Sequence, residues 1–585
     1  MKRFSAILIT LLVLFTSCSD SQKEKPSNDQ NASFDTFKEE FLATLWEQYP
    51  GWASWAGLHE YDSVLVISSD ENRQQKLIAL GEIQTKLKSF ELDKLSDNNK
   101  IDYYLIDNLI ASEQWSISDF KSHEWNASEY NIADRAWSII NGDYASLDTR
   151  LKILSRLLEQ VPSYYQAGNK NLKIPTMEHL ELGIMQNKGG LEVLGDDLLD
   201  SIASSSLSEE EKQTLLTRVE ESKASINNYV ANLENIKLEL KDDLARSSRI
   251  GKELFFKKYE LEINSDYTAE DIYNKALAEK ASLHGQMIVI ADTIWNDYLA
   301  GIEKPTDEIE MVKMLIDKIS EKHVSREDYF GEIQRQIPIL AAFVNDHDLL
   351  TQDPSKPLVV RETPLYMRGS GAGASISSPG PYEKDEDTYY NVTPLDDYTD
   401  EEAESYLREY NHYILQILNI HEAIPGHYTQ LVYGNQSPSV IKSLLANGAM
   451  IEGWANYTEL MMLEEGYNNS PEMWLMRNKW HLRGVTNTIL DYSYHVLGID
   501  KEEGMNLMVT DAFQQQTEAS NKWRRLTLSS VQLSSYFTGF TQIYELREEL
   551  KAKQGDQFNL KEFHEAFLSY GNAPVRHIRE LMLKD

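Results

Sequence analysis

Apolar residues recur through most of this chain at the spacing of one helix face. Ile226, Val230 and Leu233 keep that spacing through a long charged segment, the mark of a helix that buries one stripe and leaves the rest in water. Ser208 with Glu211, Thr268 with Asp271 and Thr399 with Glu402 stand three residues apart ahead of such segments, the spacing of an N-terminal capping box. The pattern predicts a mainly α protein. One stretch departs from it: Arg361 to Leu395 carries Pro364, Gly369, Gly371, Gly373, Pro379, Gly380 and Pro381, then Thr388, Tyr389, Tyr390, Asn391, Val392 and Thr393, a strand-like composition. It predicts a small hairpin or sheet. The glycines lack the GxxxxGK[ST] spacing of a phosphate loop. The expected layout is an N-terminal helical region over 34–345, a β and Gly-rich insertion over 346–395, and a C-terminal helical region over 396–585, with a cleft between the two helical parts.

With 41% hydrophobic residues, 31 tyrosines and 11 tryptophans, the chain has ample material for a large core. A formal net charge of −36 at pH 7 repels phosphate backbones and argues against a nucleic-acid partner. The N-terminus has its own pattern. Lys2 and Arg3 precede a mostly apolar run from Phe4 to Phe15, then Thr16-Ser17-Cys18, which reads as a lipoprotein signal peptide over 1–17 cut before Cys18. Cys18 is the sole cysteine, so an intrachain disulfide is excluded and a lipid-modified residue is the expectation. Residues 18–33 are polar and read as a flexible tether. The protein is therefore expected outside the cytoplasm, held to a membrane by the lipid on Cys18. The lack of Asp after that cysteine favours the outer membrane. Phe15, unusual where leucine is common, leaves plain secretion as the alternative.

The chemistry sits in His421-Glu422-Ala423-Ile424-Pro425-Gly426-His427 and, after it, Glu452-Gly453-Trp454-Ala455-Asn456-Tyr457-Thr458-Glu459. In an HExxH helix, residues i and i+4 are separated by about 400° of rotation and so point the same way. Here the second histidine is at i+6, which on an unbroken helix would lie about 240° away. Pro425 lacks an amide proton and Gly426 can take backbone angles closed to other residues, so two residues can loop out between Ile424 and Gly426 and restore the i+4 relation.

On that geometry His421, His427 and Glu452 are the candidate ligands of Zn2+, with the fourth position left for water. Zinc lowers the pKa of such a water to about 7, and Glu422, adjacent to a ligand on the same helix turn, is the candidate general base. Glu459 is two turns beyond Glu452 on the same face and is the candidate partner that orients a ligand imidazole. A donor for the oxyanion is sought among Tyr536, His495 and Arg483, with Asp491 as an acid one turn before His495. For any one of these, an ordinary buried polar residue is the competing reading. His59-Glu60, His123-Glu124 and His564-Glu565 have no second histidine at ligand spacing and show that a lone pair carries little.

HEAIPGH with EGWANYTE resembles the bacterial family of domain of unknown function 885, associated with gluzincin-like, mainly helical zinc peptidases. The resemblance extends to Tyr49–Asp62, Arg156–Leu172, Gly251–Ala291, Arg483–His495 and Phe563–Ile578, nearly the whole chain after the signal peptide. At Phe540-Thr541-Gln542 the chain departs from the family's Pro-Gly-Gln segment. The resemblance implies a large zincin-like metallopeptidase fold with 396–585 as the catalytic region, and short peptides as substrates. In that class an edge strand pairs with extended substrate, and Thr388 to Thr393 is the candidate strand. The alternatives are a non-catalytic metal-binding or peptide-binding lipoprotein, and a zinc hydrolase of a non-peptide amide or ester.

Overall fold

The three capping boxes start three helices. Ser208 accepts from the amide of Glu211 while Glu211 accepts from the amide of Ser208, opening the helix Glu209–Glu239. Thr268 with Asp271 opens Ala269–Tyr298, and Thr399 with Glu402 opens Asp400–Glu409, each with both bonds in place. Such a cap contributes about 1 kcal/mol by satisfying amides that the helix itself leaves unbonded. Leu215, Val219, Ile226, Val230 and Leu233 form the buried stripe of the first of these helices.

The computed structural model describes residues 29–240, 245–364, 373–383, 387–396 and 398–584. The fold is mainly helical with one small sheet. The expected signal peptide, Cys18 and most of the tether lie outside the described residues. The last part of the expected tether is helical instead: Gln30–Gln48 starts inside it because Asp29 accepts from the amide of Asn31 and Phe34, Phe37 and Phe41 bury one face. Among the described residues no helix is long and apolar enough to cross a membrane.

One hydrophobic core joins residues far apart in the chain. Phe34, Leu105, Trp295 and Leu340 share it with Ile417, Trp454, Val485 and Ile543, so it runs across both helical regions. Tyr130, Leu154, Tyr165, Tyr229 and Val230 belong to a second core, built from residues 127–233. A third, smaller one gathers Leu490, Tyr494, Met508, Leu526 and Leu533.

The sheet holds β1 (Leu358–Glu362), β2 (Ala374–Ser377) and β3 (Thr388–Val392) in the order β1-β3-β2. β1 runs parallel to β3 with Val360 opposite Tyr390, and β2 runs antiparallel with Ile376 opposite Tyr390. This corrects the expected role of Thr388, Tyr389, Tyr390, Asn391, Val392 and Thr393. They form the central strand and its end, whose amides and carbonyls face two neighbours, so no edge is left there for a substrate to pair with. Among the described residues β2 is paired on one side only, and it lies against the helix Ile414–Glu422. Tyr390 ties the sheet to the same helix by donating its hydroxyl to Asn419 Oδ1 at 2.8 Å.

Candidate metal centre

The helix Ile414–Glu422 stops at Glu422, and a new helix, His427–Asn435, begins at the second histidine. Between them the backbone bonding skips two residues. The amide of Gly426 donates to Ile420 O at 3.0 Å, six positions back, and the amide of Gln430 then returns to the four-residue pattern on Gly426 O at 3.0 Å. The segment suits this path for two reasons. Pro425 has no amide to leave unbonded, and a Cβ on residue 426 would stand 1.9 Å from His421 O. Trp454 pins the loop by donating its indole N–H to Pro425 O at 2.9 Å.

The loop brings the two imidazoles together. Their ring centroids are 4.7 Å apart with the planes at 85°. Glu452, on the helix Gly448–Glu464, places Oε2 at 3.7 Å from Nε2 of His421 and 3.7 Å from Nε2 of His427. Donor atoms of these three residues all lie within 4.8 Å of one another. Ligands around a tetrahedral zinc stand about 3.4 Å apart, so a small contraction would fit the set to that ion.

Glu459 lies on the same helix, fully buried, and takes His421 Nδ1 at 2.7 Å and the indole N–H of Trp480 at 3.0 Å on one oxygen. A carboxylate only accepts, so Nδ1 carries a proton and Nε2 is the nitrogen that faces Glu452 and His427 and would hold a metal. Burial alone would lower the pKa of His421. The bond to Glu459 and the charges of Glu459, Glu422 and Glu452 outweigh it and bring the value up to about 9. The field that favours an imidazolium here equally favours a cation between the rings. Burial pushes the Glu422 carboxyl up, with the two imidazoles opposing. Glu452 goes the other way: burial would raise it, but His427, His421 and Arg525 hold it below the usual range.

Tyr536, near the start of the helix Ser535–Gln554, comes into the same field. Burial raises its phenol first, and the charge of Glu452 adds to the shift. Its hydroxyl lies 3.4 Å from Nη2 of Arg525. Arg525 carries no motif in the sequence. The only available trace is that Glu518, Lys522 and Arg525 recur at i, i+4 and i+7 of one helix, a spacing that solvated faces also show.

His495 and Asp491 are committed to other segments of the chain. His495 has both ring nitrogens occupied: Nδ1 accepts from the amide of Ile250 at 3.4 Å and Nε2 bonds Ser529 O at 3.0 Å, while the ring stacks on Phe255. Burial lowers its pKa to about 4, so it is neutral and cannot act as a cationic donor. Asp491 accepts from the amide of Val531 at 3.1 Å and from the hydroxyl of Ser534 at 2.8 Å. Val531 has φ +73°, uncommon for a β-branched residue, and Asp491 is what holds it. The pair thus shapes the segment that leads into Tyr536. Arg483 pairs with Glu518 and lies over Trp480, whose indole reaches Glu459.

The family described as bacterial protein of unknown function (DUF885) matches residues 50–582. A solved structure of a candidate lipoprotein of unknown function from Shewanella oneidensis is 51% identical, covers 94% of this chain and 100% of its own, and superposes with a TM-score of 0.88. A second, a candidate lipoprotein from Colwellia psychrerythraea, is 18% identical over 94% of this chain and 98% of its own, with a TM-score of 0.76, and shares the fold. No match is found among curated proteins.

Proposed function

This chain belongs to the DUF885 family, whose description assigns no activity, and from its own side chains we propose that it is a zinc-dependent hydrolase of short peptides. The observation that supports the reading is the convergence of His421, His427 and Glu452 with Glu422 beside them and Glu459 behind. A structural zinc site closes its fourth position and has no use for a base.

When bound, zinc supplies Lewis acidity at the carbonyl and makes a neighbouring water more acidic. The chain supplies the rest. Glu422 takes the proton as the water oxygen joins the carbonyl carbon. When the C–N bond breaks, Glu422 returns that proton to the leaving amine nitrogen, so charge and atoms balance. Glu459 holds His421 in one tautomer and orientation. Tyr536, with Arg525 against its hydroxyl, is the donor we assign to the oxyanion. β2, paired on one side only among the described residues and set beside the helix Ile414–Glu422, offers main-chain groups to an extended peptide.

We also place the protein outside the cytoplasm with lipid on Cys18, at the outer membrane. The leader Lys2 to Cys18 and the description of both solved relatives as candidate lipoproteins support the anchoring. The test of function is product mapping by mass spectrometry on a mixed peptide library, using soluble protein starting after Cys18, zinc-loaded and chelator-treated in parallel. Metal-dependent cleavage is expected. Folded, zinc-bound protein that cuts no peptide would rule out the peptidase reading and point to another amide, an ester or a binding role.

A further inference from the structure

Beside Glu452 the charge balance changes sign. The helix Gln516–Leu528 presents Glu518, Lys522 and Arg525 at i, i+4 and i+7, along one face. Arg525 is exposed at the edge of this group, where it donates to Gln532 Oε1 and reaches the Tyr536 hydroxyl. From the helix Pro471–Tyr492, Arg483 donates Nη2 to Glu518, and its guanidinium also lies against the Tyr410 hydroxyl. Lys522 is 5% exposed, and its Nζ has no hydrogen-bond partner.

The carboxylates nearby do not balance these cations. Glu518 is taken by Arg483, and Glu409 by Lys479 at 2.8 Å. Among the described residues no carboxylate stands within ion-pair distance of Lys522 or Arg525. A buried amine without a counter-charge is driven towards its neutral form, and an arriving anion favours the ammonium. Burial, with the charges of Arg483 and then Arg525 against it, holds the Lys522 amine well below its ordinary pKa, although Glu518 and Glu409 pull the other way.

We propose that Arg525, Lys522 and Arg483 form the recognition site for a substrate carboxylate, and that this carboxylate is the C-terminus of a peptide. The accessible fork of Arg525 meets the anion, with the charge of Arg483 and the amine of Lys522 behind it, and the arriving anion favours the protonated form of that amine. Planar guanidinium matches planar carboxylate, and the exposed position of Arg525 leaves the approach open. Arg525 contacts Tyr536 and its charge acts on Glu452, so an anion on Arg525 sits close to the candidate ligands. A peptide held by its end at that spot presents its last bonds for hydrolysis. A chain running through would put neutral amides against unbalanced cations. The activity is therefore removal of residues from the C-terminal end. The cleavage rests on the hydrolase reading above, whereas the binding does not.

The experiment is calorimetric titration of the zinc-loaded Glu422→Gln protein, which separates binding from turnover. The probes are acetyl-Phe-Ala-Phe as free acid, the same peptide as its C-terminal amide, and acetyl-Phe-Asp-Phe amide, which carries its carboxylate on a side chain. The free acid should bind about tenfold or more tightly than the amide. Arg525→Met, on an exposed residue, should erase that preference while keeping the fold. Lys522→Met should erase it too and raise the melting temperature, because it removes a buried amine that has no hydrogen-bond partner in the free protein. Equal binding of acid and amide, or no binding of either, overturns the proposal. Recovery of tight binding by the Asp-containing amide overturns the C-terminal assignment. Tight binding of the free acid by a wild-type protein that never cleaves it upholds this inference and removes the hydrolase reading instead.

Discussion

Gly453 and Gly539 meet backbone to backbone. A Cβ on Gly453 would stand 2.3 Å from the carbonyl carbon of Gly539, and a Cβ on Gly539 would stand 1.7 Å from Ala449 O. The helices Gly448–Glu464 and Ser535–Gln554 can cross this closely only with hydrogen at both positions, and the crossing carries Glu452 and Tyr536 to the same place. Gly539→Ala should therefore cost about 1–3 kcal/mol or more through overpacking. It should also cost activity by parting Tyr536 from the centre. Urea denaturation checks the first effect, and an unchanged midpoint would show that the crossing has slack.

Glu422→Gln keeps shape and removes the base. Turnover should fall roughly 10²–10⁴-fold while zinc content, measured by atomic emission on the purified variant, stays at the wild-type level. Loss of zinc together with activity would instead make Glu422 part of the metal's own support.

The bond from His421 Nδ1 to Glu459, 2.7 Å long and fully buried on the carboxylate side, predicts an effect on affinity rather than on chemistry. Glu459→Ala should weaken zinc binding about 10–100-fold in a competition titration against a chelator, with the fold kept. Zinc affinity equal to that of wild type would mean that Glu459 does not orient the ligand.

Asp491 gives a pH signature. Burial raises its folded pKa to about 6, although the bonds from Ser534 and Val531 lower it. Unfolded, an aspartate titrates near 3.9, so between these values the folded state binds more protons and stability falls as pH rises. Asp491→Asn has no charge to bury. From pH 4 to 7 its unfolding free energy should improve relative to wild type by roughly 2–3 kcal/mol. Denaturation curves at several pH values read the difference directly. A difference that does not change with pH would show that Asp491 titrates as it does in water.

Much of the helical architecture could be read from local pattern. The three capping boxes form where Ser208, Thr268 and Thr399 predict them, since a cap joins residues three apart and needs no distant partner. The break between His421 and His427 was legible for the same reason. Pro425 and Gly426 limit their own backbone, and the six-residue hydrogen bond from Gly426 to Ile420 follows from that limit. Asn391 and Tyr390 show where such reading stops. Strand composition marks them as β, but being flanked by β1 and β2 depends on which strands arrive on each side, and one segment's composition does not encode that.

His495 and Arg525 make the same contrast within the site. A histidine four residues after an aspartate reads as chemistry, yet Ile250 and Ser529, brought in from other parts of the chain, occupy both of its nitrogens. An arginine on a charged helix reads as solvent surface, yet it lies against Tyr536. The sequence by itself determined the helices, their caps, the looped-out turn and the order of the candidate ligands, because each depends on backbone and side-chain limits within about two turns. Only the tertiary structure decided which side chains surround those ligands. Those neighbours come from helices far apart in the chain, and what sets them in contact is a packing fact, the absence of a Cβ at Gly453 and Gly539.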